Sequence, residues 1–289
     1  MGNGTVHFLL TRFNLPSPGP ESLIRASPEW LSNRVELFRR YTIPSVLAQG
    51  AGSCEWIIYF DAESPGWLKA QIATDEAAGI YTPIFAESVD RATLLADLRR
   101  HAPAASGRII TTNLDNDDGL ANDFAQQIQS ADPGAGRHAI FLADGLIKSG
   151  TDVFARTDKH NAFASVAEDW DDAVTCWSEW HNLLAEHMPA IVVRGAPAWL
   201  QVIHGANVSN RVRGNLASPI PHSSRFAGLL DDVRTPGGAD LAAERLIRVP
   251  TRAVRECVRA TGKFVVMKTV GKEGLDRLKL RLANSRRVA

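Results

Sequence analysis

Cysteine is scarce in this chain: three in 289 residues, Cys54, Cys176 and Cys257, far apart and without metal-ligand spacing. That excludes a disulfide scaffold or zinc ribbon and favours free thiols in a reducing compartment. Long apolar runs are missing as well. No hydrophobic stretch of about 18 residues occurs, and "MGNGTVHFLL" has neither the basic start nor the cleavage site of a signal peptide. The expectation is a cytoplasmic protein. Net charge is absent too, with Lys plus Arg and Asp plus Glu at 32 each, so nucleic acid is not an expected partner. Two phosphate-binding signatures are lacking. The first strand-like run, "VHFLL", leads into "TRFNLPSPGP" with no glycine before Gly19, so neither a G-x-G-x-x-G turn nor a P-loop follows it. Internal repeats and low-complexity segments are also wanting.

What is present is the composition of a soluble protein with a core, 45% hydrophobic and 22% charged. The first half alternates short apolar runs with helical patterns. "VHFLL", "EWIIYFD", "GIYTPIFA" and "RIITTN" read as strands. Between them, "WLSNRVELFRRYTIPSVLAQ" reads as a helix broken or kinked at Pro44, and "DRATLLADLRRHA" as a helix with Leu94, Leu95 and Leu98 inward. Strands separated by helices predict a central, mostly parallel α/β sheet, with ligands at the strands' carboxyl ends. Further on, "ANDFAQQIQSA" reads as a helix, "HAIFLADGLIKSG" as a strand or hairpin, and "TDVFART", "AVTCW" and "LQVIHG" as strands.

The fourth strand runs into "TTNLDNDDGL", where three aspartates, two asparagines and a glycine crowd together. Like charges this close need compensation. If strand geometry persists to residue 117, Asn113, Asp115 and Asp117 share one side, and the two carboxylates can grip Mg²⁺ or Mn²⁺. The plain alternative is a polar turn. Arg12 ends the first strand as a side-chain donor for phosphate, or as a surface arginine. Asp61 ends the second, where it could accept from a nucleobase or ribose, or cap a turn. "AED" carries Glu168 and Asp169, candidates for a general base or for capping. "HGANVSNRVRG" places His204 after an apolar run, then Asn207 and Arg211, a set that suits a metal and phosphate oxygens, with a structural histidine as the plain alternative.

Taken together, "LLTRFN", "RVELFRRYTIPSVLAQ", "WIIYFD", "TTNLDNDDGL" and "HGANVSNRVRG" resemble a nucleotide-sugar-dependent glycosyltransferase of the GT-A type, more narrowly the bacterial family labelled putative rhamnosyltransferases. The resemblance spans roughly residues 5 to 215. It implies a GT-A-like single domain over residues 1–250, with a twisted sheet flanked by helices. Residues 1–120 form the nucleotide half and 121–250 the acceptor half. It also implies a D-x-D motif with Asp117 on the divalent cation and Asp115 near the ribose or a metal water. Asp61 meets the nucleobase, His204 closes the metal and diphosphate shell, and "AED" supplies the base of an inverting enzyme. The expected partners are a nucleoside-diphosphate sugar and a hydroxyl acceptor. Two other classes stay open: a metal-dependent nucleotidyltransferase or diphosphate hydrolase sharing the site, and a non-catalytic sugar- or calcium-binding module.

The last 39 residues, 251–289, hold 11 Lys and Arg against 3 acidic residues. Leu275, Leu278 and Leu282 form one stripe of a basic helix there. That stripe is expected to face the protein's own core, in preference to an anionic membrane.

Overall fold

The computed structural model describes residues 4–16, 28–50, 53–204, 212–226 and 228–251. Asn207, Arg211 and the basic tail from residue 252 lie outside the described residues. By its internal contacts the chain divides into two units, Met1–Thr235 and Pro236–Ala289. The division falls before residue 250, where the sequence reading ended the domain.

In the first unit, β1 (Thr5–Arg12) is buried from Val6 to Thr11, as a strand covered on both faces must be. Helix α1 (Pro28–Leu37) continues through a π turn, Phe38–Thr42, into α2 (Ile43–Leu47). Pro44 has no N–H for the ladder, and the widened turn just before it pairs Ile43 N–H with Phe38 O. Then follow β2 (Glu55–Asp61), α3 (Gly66–Ala77), β3 (Thr82–Ala86), α4 (Arg91–His101) and β4 (Arg108–Asn113). Asp90 caps α4, accepting from Thr93 N–H at 2.8 Å, and Leu94 and Leu98 are buried with Leu95 packed alongside.

The later elements are β5 (Gly119–Leu120), α5 (Phe124–Ala131), β6 (His138–Leu142), β7 (Asp144–Ser149), β8 (Asp152–Thr157) and β9 (Ser165–Asp169). After them come α6 (Leu184–His187), β10 (Ala190–Val193), β11 (Trp199–Ile203) and β12 (Asn215–Ala217). Among the described residues of the second unit are α7 (Gly238–Ala243) and a π turn, Glu244–Arg248.

The described strands form a seven-stranded sheet of order β10-β6-β9-β4-β1-β2-β3 and a five-stranded sheet of order β12-β8-β7-β11-β5. In the large sheet only β9 runs against its neighbours, pairing antiparallel with β4 and β6. "HAIFLADGLIKSG" therefore reads across two sheets, β6 in one and β7 in the other. "AVTCW" is not a strand. Its backbone N–H groups go to side chains instead: Val174 and Thr175 donate to the Glu168 carboxylate, and Cys176 to Thr111 Oγ1. The strand beside β4 is "SVAED", β9.

Candidate active site

Parallel pairing brings Arg12, Asp61, Ala86 and Asn113, the last residues of β1 to β4, to one edge of the large sheet. The chain leaves β4 as a turn. Asp118 N–H reaches back to Asp115 O at 3.3 Å, so extended geometry stops at Asn113 and the aspartates do not share one side. Asp115 remains exposed while Asn116, Asp117 and Asp118 are buried. This corrects the period-2 placement, since alternation requires an unbroken strand.

The turn then enters β5, which pairs antiparallel with β11, Leu120 opposite Trp199 and Gly119 opposite Leu200. Val202 N–H donates to Asp118 Oδ1 at 2.8 Å, carrying β11 past the turn until His204 stands against Asp117. His204 Nε2 lies 2.9 Å from Asp117 Oδ2, two residues 87 apart in the chain. Arg34, from α1, contacts the same oxygen through Nη1 and reaches Asn116 Oδ1 at 3.1 Å.

The crowded charge is thereby compensated unevenly. Burial alone would raise the Asp117 carboxyl, but His204 and Arg34 outweigh it and hold it below the ordinary carboxylate range. Asp118 is pushed well above that range, first by burial and then by the charges of Asp117 and Asp115. Asp115 is raised too, by loss of solvation and then by Asp117, against the pull of Asn113, Arg34 and His181. One side of Asp115 is open to water, so its loss of solvation is that of a crowded cleft and not of a core.

Arg12 and Asn113 meet through a residue the sequence reading did not use. Trp177 Nε1 donates to Asn113 Oδ1 at 2.8 Å, and the Arg12 guanidinium lies 4.1 Å from the centre of the Trp177 ring. Asn113 in turn donates to Asp115 Oδ1 at 3.3 Å and Ala162 O at 3.0 Å. Close by, His181 Nδ1 sits 2.5 Å from His160 O. A carbonyl only accepts, so Nδ1 carries the proton and a neutral His181 keeps its lone pair on Nε2. Asp61 forms a local turn, accepting from Glu63 N–H at 2.8 Å, while its own N–H donates to Asn14 Oδ1 at 3.0 Å.

Glu168 and Asp169 are not brought to this edge. Because β9 runs against β4, Ser165 stands opposite Thr112 while Glu168 and Asp169 stand opposite Ile109 and Arg108. Four residues at about 3.3 Å each separate the two ends. Glu168 is 1% exposed and spent on structure: it binds Arg137 Nε at 2.6 Å and accepts from Val174 and Thr175 N–H. Asp169 pairs with Arg108 at 2.7 Å. The assignment of either as general base is thus corrected by the direction of one strand. A groove lined by Asp144, Arg156, Thr157, Asn215 and His222 lies on the second sheet and includes none of the aspartates of the turn.

A divalent cation suits part of this donor set. Asp117 offers a carboxylate oxygen and His204 an imidazole nitrogen 2.9 Å from it, two donors that would hold such an ion. Among the described residues no third His, Cys, Asp or Glu joins them, so phosphate oxygens and water would complete such a shell. Cys54 and Cys176 are free thiols, and no helix among the described residues is long and apolar enough to cross a membrane.

No curated protein sequence matches the chain. Among solved structures, S. aureus TarS 1-349 in complex with UDP-GlcNAc is 9% identical, with 72% of this chain and 62% of that one covered and a TM-score of 0.43. This chain thus spans less than two thirds of that fragment. The inositol-1-phosphate CTP transferase from T. maritima is 10% identical over 80% of this chain and 99% of its own, TM-score 0.35. HddC from Yersinia pseudotuberculosis is 12% identical over 68% and 91%, TM-score 0.34. The family model described as putative rhamnosyl transferase matches residues 6–216, from the start of β1 to β12, and the chain belongs to that family of glycosyltransferases.

Proposed function

We propose that the protein transfers a sugar from a nucleoside diphosphate to a hydroxyl acceptor with the help of a divalent cation, Mn²⁺ or Mg²⁺. The observation that carries this reading is the contact of His204 with Asp117 at the carboxyl ends of parallel strands. Breaking a sugar–diphosphate bond leaves negative charge on the leaving group, and a bound divalent cation supplies the compensating charge. Asp117 and His204 would hold it. Arg12 and Asp61, at the ends of β1 and β2, suit phosphate oxygens and the nucleoside. Asp115, tied to Asn113 and open to solvent, suits a ribose hydroxyl or a metal water. Asn207 and Arg211 complete the candidate set from outside the described residues.

The acceptor's proton needs a base at this end of β4, and the acidic pair lies at the other. We infer His181 for that role in an inverting transfer, because its Nδ1 contact with His160 O leaves Nε2 as the basic nitrogen. The test of the whole reading is a thermal-shift panel of nucleoside diphosphates and nucleotide sugars with and without Mn²⁺. One nucleotide series should raise the melting temperature, and more so with the ion. Product analysis follows: nucleoside diphosphate and transferred sugar are expected, whereas monophosphate or pyrophosphate would identify chemistry at phosphorus.

A further inference from the structure

Asp117 already has a cation. Arg34 puts Nη1 on Asp117 Oδ2 and, at 3.1 Å, on Asn116 Oδ1. Its side chain is only 13% exposed, and its guanidinium lies 4.9 Å from the centre of the Trp30 ring, one turn earlier in α1. Withdrawing a guanidinium from water is costly unless its donors are matched. Here the matching is incomplete. Nη1 makes both contacts, and neither Nε nor Nη2 donates to any described residue. Arg–carboxylate pairs frequently use the fork in parallel, two N–H groups on two oxygens. This pair is end-on, and the oxygen it uses is the one His204 uses.

That oxygen is where the cation of the functional reading would join Asp117 to His204. Guanidinium and cation contend for one place, since two positive centres on one oxygen repel. A diphosphate changes the balance, because its oxygens accept the fork's unused N–H groups. We propose that Arg34 is a displaceable counter-ion, which neutralises Asp117 until a divalent cation and a diphosphate arrive together and then passes to the phosphate oxygens. This deepens the glycosyltransferase reading and rests on it. Its thermodynamic content is linkage: cation and diphosphate raise each other's affinity by the same factor, and the cation alone binds weakly.

The experiment needs no sugar and no acceptor. Mn²⁺ alone is titrated into the full chain, Arg34→Met, Asp117→Asn and the double variant, and the free ion is followed by its electron paramagnetic resonance. Arg34→Met should bind Mn²⁺ about tenfold tighter than the parent or better, and the gain should vanish in the double variant. Melting curves check folding, and Arg34→Gln, which keeps a donor for Asn116, replaces a Met variant that does not unfold cooperatively. Equal Mn²⁺ affinity in the parent and a folded Arg34 variant overturns the proposal and leaves the glycosyltransferase reading standing. No Mn²⁺ binding by parent or variants, even with uridine, cytidine, guanosine, adenosine or thymidine diphosphate present, overturns both the proposal and the metal dependence.

Discussion

At the scale of single residues, the oxygen Asp117 Oδ2 is shared by His204 and Arg34. Asp117→Ala should abolish sugar transfer and remove the effect of Mn²⁺ on nucleotide binding; full activity in Mn²⁺ would refute the assignment. His181→Gln should lower transfer by roughly 10²–10⁴-fold with donor binding nearly unchanged, the loss typical of a general base. Turnover at the parental rate would remove His181 from that role. Glu168→Gln should behave quite differently. The carboxylate faces Arg137 and two backbone N–H groups in the interior, so its loss should lower the melting temperature and leave the pH–rate profile of the surviving fold unaltered. A selective loss of turnover at constant stability would reinstate the acidic pair.

At the scale of elements, a polar thread crosses the large sheet from β1 to β9. His7 Nε2 lies 2.8 Å from Thr112 Oγ1, which lies 2.6 Å from Ser165 Oγ. Burial pushes the His7 imidazole down to about 3 from 6.5. The folded state therefore keeps His7 neutral while the unfolded chain protonates it below pH 6.5, so stability falls as pH drops from 6.5 toward 3. At pH 5 this amounts to about 2 kcal/mol. His7→Gln should flatten that part of the profile in urea unfolding; an unchanged slope would show that other groups set it. The same strands show what the sequence made legible. β1, β2, β4 and α4 carry unbroken or periodic apolar runs, so their place followed from pattern. β9 was hidden because "SVAED" ends in charge, and those charges are consumed by Arg137, Arg108 and backbone N–H groups that pattern does not reveal. Its direction, invisible locally, is what removes the acidic pair from the site. The D-N-D-D turn was legible by composition, but not the break in extended geometry after Asn113. Arg34, Trp177 and His181 were missed because each meets its partner only through tertiary structure, although Arg34 lies inside a motif that carried the family resemblance.

At the scale of the whole molecule, every described residue assigned to the site lies before residue 205, and the family match ends at residue 216. The first unit also closes on itself. Arg234 N–H donates to Thr151 O at 2.9 Å, and its Nε pairs with Asp152 at 2.7 Å, fastening the end of that unit to the β7–β8 turn. A chain ending at Thr235 should therefore unfold cooperatively and match the full chain in Mn²⁺ and nucleotide affinity; a tenfold loss in either would assign the second unit a part in binding. The contact of Arg34 with Trp30 has a consequence of its own. An indole beneath a guanidinium emits under that charge's field, so moving the guanidinium toward a phosphate should shift or quench its fluorescence. Seven tryptophans share the signal, but only the part removed by Trp30→Phe would report the hand-over. The chain thus contains an unlabelled optical probe beside the aspartate, with which the arrival of a diphosphate can be timed.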